Sequence, residues 1–269
     1  MDITDPHIVR SAFLNTYAEP GEPHPYRRLE QYDLVMAHRE NEPNMGARRL
    51  SRRLELSETL IDGWLKGSKP HGYRTAETLT ELGWFDLSWG GEQFRALNEL
   101  IAWVYSSGAI NDSYRVKFVF DDAEMRSDCV ALVEQAGVRE HSAVATGRDD
   151  RPNEIHITDP GAAAGRLFVG FGAPMGRKSE QRFGLPPYLA VAPDPVRHEF
   201  AARYLANRGT EQPNYAERVL VVKEERPEAY LQALTGLFAS VTDGEVRRAG
   251  ESAIHLGPAA VTEILHEDS

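Results

Sequence analysis

Between residues 44 and 74 the chain carries Arg48, Arg49, Arg52, Arg53, Lys66, Lys69 and Arg74 against Glu55, Glu58 and Asp62, a local excess of +4. Guanidinium and ammonium groups at that density are the chemistry that contacts phosphate. Ser57 and Thr59 lie in the same stretch and add hydroxyl donors. The same arginines could also be the solvated face of a plain helical bundle. The surrounding chain is acidic: the net charge is −11, so everything outside this stretch carries −15. Taken alone, that balance opposes nucleic-acid binding. Only five of the 30 basic residues are Lys, however, and an acidic, lysine-poor surface is also a way of staying soluble in concentrated salt. Nine histidines and a single cysteine, Cys129, complete the reactive inventory. One cysteine excludes an internal disulfide framework and a cysteine-based metal cluster.

The basic stretch needs helices to position it. Residues 1–25 read as a lead-in broken by Pro20, Gly21, Pro23 and Pro25, with one short helix over 6–15. Leu29, Tyr32, Leu34, Val35 and His38 are spaced for a helix over 28–40. Asn44 can cap a helix over 45–54 whose Leu50 and Leu54 face inward while Arg48, Arg49, Arg52 and Arg53 face out. After the turn at Glu55 and Leu56, Ser57 starts a helix holding Leu60, Ile61, Trp64 and Leu65, ended by Gly67 and Pro70. A helix over 75–82 closes the unit. Two short helices joined by a tight turn are the pattern of a helix-turn-helix. The second would expose Glu58, Thr59, Asp62, Gly63 and Lys66, with Lys69 and Arg74 at its edge. The expected division is a lead-in, 1–25; a helix-turn-helix domain, 26–88; and an α+β domain, 89–269.

The α+β part repeats with a period near 100 residues. An apolar helix over 93–106, Gly108, an alternating strand over 114–120, a helix over 123–136, a hairpin over 139–159 and a helix opened by Pro160 make one copy. A helix over 196–207, Gly209, a strand over 218–223, a helix over 227–240, a hairpin with return strand 253–256 and a helix opened by Pro258 make the other. Gly108 pairs with Gly209, Arg115 with Arg218, and the triplet 155–157 with 254–256, which sets His156 beside His255. Both histidines read as strand residues held by a local partner. On the first strand Arg115 and Lys117 face away from Tyr114, Val116, Phe118 and Phe120. The second copy is more acidic, with Glu211, Glu217, Glu224 and Glu225 opposed by Arg218 and Lys223.

A duplicated α-β-α-β-β-α unit, with the worn motif LNELIAWVYSSGAI at 97–110 and the connector 173–189, resembles the LAGLIDADG homing endonucleases. The resemblance covers residues 90–268 in order of elements. It implies an α+β fold with pseudo-two-fold symmetry, halves 89–172 and 190–269, and two motif helices meeting through small residues. Those would be Ala102 and Ser106 on one helix and Ala201, Ala202 and Ala206 on the other. It also implies a sheet surface lying along duplex DNA, with Lys178 near a phosphate.

Active members of that family end each motif in a carboxylate that holds a divalent cation, because Mg²⁺ wants hard oxygen ligands to stabilise phosphodiester hydrolysis. Those positions fall on Ser107 and Arg208. A neutral hydroxyl ligates Mg²⁺ poorly, and a guanidinium fills the cation's place with its own charge. The resemblance therefore implies a non-catalytic, sequence-specific binder of double-stranded DNA, with neither metal nor cofactor, in the manner of a transcriptional regulator. Its DNA contacts would be Arg48, Arg49, Arg52, Arg53, Ser57, Thr59, Lys66, Lys69, Arg74, Arg115, Lys117, Lys178 and Arg218. An RNA-binding splicing factor of the maturase type, a protein-interaction module working through the acidic second half, and a surviving nuclease are the competing readings. No apolar run spans a membrane and no secretory signal is visible, so a cytoplasmic protein is expected, monomeric because the symmetry lies within one chain.

Overall fold

A proline at the first helical position and a side-chain cap open the chain's first helix, α1 (Pro6–Asn15): the Asp5 carboxylate accepts from the His7 amide. The computed structural model describes residues 1–19, 24–144, 153–213 and 218–266. The proline and glycine signals at 20, 21 and 23, the tip of the first copy's hairpin and Glu217 lie outside the described residues. Helix α1 is more than a lead-in, because Val9, Phe13 and Leu14 are fully buried and it packs across α8 (Ala162–Gly170). The crossing is close at Gly170, where a side chain would stand 2.9 Å from the Ala12 backbone.

Helices α2 (Pro25–Asn41), α3 (Ala47–Leu54), α4 (Glu58–Leu65) and α5 (Tyr73–Glu81) follow. Tyr32, Val35, Met45, Leu50, Ile61 and Trp64 form a small core of their own, with the Tyr32 ring edge-on to Trp64 and Tyr73. The cap of α3 is Gly46 in place of Asn44, so that helix starts two residues late. Between α3 and α4, Glu55 takes a left-handed conformation, φ 55°, which a glycine would take more easily. Ser57 holds the cap position of α4 without a side-chain hydrogen bond.

The remainder is two copies of one order of elements. The first runs α6 (Glu92–Ser106), β1 (Gly108–Ile110), β2 (Val116–Phe120), α7 (Ala123–Gln135), β3 (Glu140–Val144), β4 (Asn153–Asp159) and α8. The second runs α9 (Asp194–Arg208), β5 (Gly209–Glu211), β6 (Leu220–Lys223), α10 (Glu228–Ala239), β7 (Val246–Arg248), β8 (Ala253–Leu256) and α11 (Pro258–His266). The two antiparallel sheets have the orders β1-β2-β4-β3 and β5-β6-β8-β7. Each copy thus gains a three-residue strand after its first helix, too short to announce itself by alternation. Two such halves joined through their first helices make the α+β arrangement that the resemblance implies.

Register fixes which positions correspond. Gly108 faces Phe118 as Gly209 faces Val222, and Phe118 faces Ile155 as Val222 faces Ile254. His156 and His255 therefore correspond, as the sequence pairing has it. Arg115, however, corresponds to Val219 and not to Arg218. The second strand is shifted one residue against the spacing of the first, and Arg218 takes the place of Tyr114. Nor is Tyr114 part of β2. It closes the β1–β2 turn at φ 57°, its amide on the Asn111 carbonyl at 2.8 Å.

Helices α6 and α9 lie side by side. Asn98 Nδ2 donates to the Val196 carbonyl at 2.9 Å, Arg95 Nε to Glu199 at 2.5 Å, and Arg203 Nε to Glu99 at 2.9 Å. Ala102 and Ala201 are fully buried in this region, Ala202 is half-buried, and Ala206 is exposed. Asn207 takes the axial place instead, its Nδ2 donating to Ser106 Oγ at 2.9 Å.

Candidate nucleic-acid interface

Amphipathic helix α3 buries Leu50 and presents Arg48, Arg49, Arg52 and Arg53 to solvent. Arg53 pairs with Glu42 at 2.6 Å, Lys66 with Asp62 at 2.5 Å, and Lys69 with Glu77 at 3.0 Å. Arg48, Arg49, Arg52 and Arg74 make no ion pair among the described residues. Exposed pairs of this kind contribute about 0–1 kcal/mol each, so a phosphate can take over the paired side chains at little cost. Ser57 and Thr59 are exposed at the start of α4.

This helical unit is fastened to the first sheet. The Arg166 guanidinium of α8 lies 3.8 Å from the ring centroids of both Tyr17 and Tyr114. The same guanidinium donates to the Thr16 carbonyl at 2.5 Å, which also accepts from Tyr114 Oη at 3.2 Å. Tyr17 in turn packs edge-on against His71, just beyond α4. At Gly165 any side chain would collide with the Tyr114 carbonyl, so the β1–β2 turn is seated directly on α8.

The open face of the first sheet forms a groove of about 720 Å³ lined by Arg115, Lys117, Glu154, His156, Asp112 and Arg177. Lys117 reaches Glu154 at 2.6 Å, and His156 Nε2 meets the other oxygen of that carboxylate at 2.7 Å. Burial pushes the Glu154 carboxyl up, but the hydrogen bonds from Lys117 and His156 outweigh it and leave it below the usual carboxylate range. Arg115 is exposed, with its guanidinium in space that Gly161 leaves free. On the second sheet Arg218 pairs with Glu211 at 2.8 Å, Arg247 with Glu245 at 2.9 Å, and Arg248 with Glu228 at 3.0 Å.

At the C-terminal ends of α6 and α9, Ser107 and Arg208 flank the Ser106–Asn207 contact. Arg208 Nε donates to Glu224 at 3.1 Å and Nη2 to the Lys223 carbonyl at 3.1 Å. Glu224, expected among the surface acids of the second half, is instead interior, with its side chain 1% exposed. It follows Leu220 and Val222 at strand spacing, so it points into the core as they do. In the first half the same position is Phe120. The carboxylate also accepts from Tyr204 Oη at 2.6 Å and pairs with Arg226 at 3.5 Å. Lys178 comes to the same place from the connector, its Nζ on the Tyr105 carbonyl at 3.1 Å. Burial, with Arg226 and Arg208 nearby and Glu224 opposing, brings its ammonium down to about 7.

This constellation does not fit a divalent cation. Among the described residues no group of three or more His, Cys, Asp or Glu side chains is arranged to hold a metal ion. Ser107 is a neutral ligand, and the one nearby carboxylate is committed to two arginines and a tyrosine.

The chain matches no family model and no curated protein. Among solved structures it is similar to the homing endonuclease I-WcaI bound to its DNA recognition sequence, at 11% identity and a TM-score of 0.47, over 75% of this chain and 90% of that one. It is also similar to the N-terminal LAGLIDADG domain of DUF199/WhiA, at 9% identity and a TM-score of 0.40, over 71% and 91%. No helix is long and apolar enough to cross a membrane among the described residues.

Proposed function

We propose that this protein binds double-stranded DNA without cutting it and acts as a sequence-specific regulator of transcription. The observation that carries the reading is the face of α3, where Arg48, Arg49 and Arg52 are exposed and make no ion pair, beside the exposed start of α4. The helical unit carries the denser set of exposed cations, Arg48, Arg49, Arg52 and Arg53 on one short helix, so it supplies the larger share of phosphate contacts. Arg115 and Lys117 add contacts from the first sheet, with Lys178 in the connector between the halves. The reading without cleavage is supported by Ser107 and Arg208 standing where the resemblance places the metal-binding carboxylates.

Electrophoretic shifts with a randomised duplex pool, run from low to moderate salt, test the reading. Binding should weaken steeply with salt, and the slope of log affinity against log salt should flatten by roughly one for each of Arg48, Arg49 and Arg52 changed to Ala. A structured RNA that outcompetes every duplex would replace DNA with RNA as the partner. Absence of any salt-dependent binding would leave the acidic second half, with Arg218 neutralised by Glu211, as a surface for a protein partner.

A further inference from the structure

Helices α7 and α10 end at corresponding places in the two copies, with Ala136 and Ser240 as their C-caps. The last carbonyls of a helix attract N–H donors and positive charge. In the first copy two side chains meet that demand. Trp84 Nε1 donates to the Ala136 carbonyl at 2.7 Å and Gln93 Nε2 to the same oxygen at 3.1 Å, with the indole fully buried. The second copy lacks this plug. Asp194 stands as far before Gly209 as Gln93 stands before Gly108, so an acid replaces the amide donor. A cavity of about 700 Å³ opens there, between the start of α9, the end of α10 and α11, and no Trp, Tyr or Phe lines it. That volume lies within the usual range of small-molecule sites.

The walls of the cavity are acidic. Asp194, Glu199, Asp243 and Glu263 line it, against Arg95 and the His198 ring. Arg95 is held by Glu199 at 2.5 Å, and Asp194 pairs with Arg197. Asp243 and Glu263 form no ion pair among the described residues. The Thr242 hydroxyl and the Asp243 amide donate to the Glu263 carboxylate and hold it below the usual carboxylate range, so it is ionised at neutral pH. Helix α10 has no basic residue in its last turn to offset its carbonyl end. Pro195, Ala239 and Val241 add an apolar wall. Among the described residues the acids are not arranged to hold a metal ion, so they suit an organic cation.

We propose that this cavity binds a small organic cation with a flat apolar body and an ammonium or amidinium group, seated as Trp84 and Gln93 are seated in the first copy. The flat body lies against Pro195, Ala239 and Val241, and the charged N–H donors face Asp243, Glu263 and the end of α10. The cavity adjoins Asp194, and Arg208 is at the other end of α9, about 20 Å along the helix. It is therefore separate from the nucleic-acid interface, and its occupancy does not depend on the function proposed above.

Tryptamine is a suitable probe, because it joins an indole to an ammonium. It is titrated into the whole protein at constant ionic strength, with thermal unfolding and amide-resolved NMR as readouts. It should raise the unfolding midpoint of the wild type and shift the amides of Asp194 and of residues 239–243. Indole-3-propionate keeps the ring and reverses the charge, n-butylamine keeps the charge and lacks the ring, and neither should reproduce both effects. Asp243→Asn combined with Glu263→Gln removes two charges at constant shape, and its amide oxygen at 263 can still accept from Thr242. That variant should bind tryptamine roughly fivefold more weakly. Glu251→Gln, an exposed acid outside the cavity, should leave the affinity unchanged. The site is overturned if tryptamine shifts none of those amides, or if n-butylamine matches it. It is also overturned if the double variant binds as the wild type does, since the attraction would then be that of an acidic protein for any cation.

Discussion

Replacing Lys178 by Met should change the pH dependence of stability in a defined window. Burial, with two guanidinium groups close by, brings its ammonium from an ordinary 10.5 down to about 7 in the folded protein. Unfolded, the lysine regains its ordinary value. Between these two values the unfolded state binds a proton that the folded state lacks, so stability rises with pH. The fall from 10.5 to about 7 is worth about 5 kcal/mol, a cost borne in full below pH 7 and shrinking by about 1.4 kcal/mol per pH unit above it. Methionine keeps the aliphatic length and cannot titrate. The unfolding free energy of Lys178→Met minus that of the wild type should therefore fall by about 3 kcal/mol from pH 7 to pH 9.5. Tyr105, Tyr204 and Tyr230, which burial pushes above their ordinary 10, remove stability above pH 10, and Cys129, which burial pushes from 9.0 up to about 12, removes it from about pH 9, but both proteins share these groups and the difference cancels them. Urea unfolding at four pH values gives the difference directly. An offset that stays constant to within about 1 kcal/mol would refute the buried placement of the ammonium.

Other perturbations have equally definite outcomes. Glu224→Gln leaves Arg208 and Arg226 facing each other without their shared carboxylate, and should cost about 3–5 kcal/mol in denaturant unfolding; a cost under about 1 kcal/mol would mean the cluster is solvated. Arg166→Met removes two cation–π contacts and the Thr16 hydrogen bond, so α1 should exchange its amide hydrogens faster than α9 does; equal acceleration in both would argue against a local clasp. Gly165→Ala drives a methyl into the Tyr114 carbonyl and should cost about 1–3 kcal/mol with the β1–β2 turn displaced, whereas Gly184→Ala, in open space, should cost nothing measurable.

The long elements were legible because their signals are local. Pro6 at a first helical position and the spacing of Val9 and Phe13 define α1 to the residue, and Ala253–Leu256 alternates cleanly enough to be read as β8. The order of the two copies follows from landmarks of the same kind. What escaped depends on tertiary context. Strands β1 and β5 are three residues each and exist because β2 and β6 pair with them. Tyr114 carries the alternation of β2 but leaves it through a left-handed turn that only the seat on α8 imposes. The Arg115–Arg218 pairing slipped by one, since a match of residue type outweighed strand register. Within the site, the resemblance offered Lys178 only as a residue near a phosphate, and its seat on the Tyr105 carbonyl at the end of α6 depends on how the connector folds. The inward-facing Glu224 was hidden by its charge, although its parity with Leu220 and Val222 points inside. Arg226 and Asn207 carried no signal until the two helices and β6 were brought together.

One measurement bears most directly on the proposal that this chain grips duplex DNA and does not cut it. The selected duplex, embedded in a supercoiled plasmid, is incubated with excess protein in magnesium, in manganese and in EDTA, and both retention and topology are followed. The account predicts equal retention in all three and a plasmid that stays supercoiled. Nicking or linearisation that requires the divalent ion would contradict it.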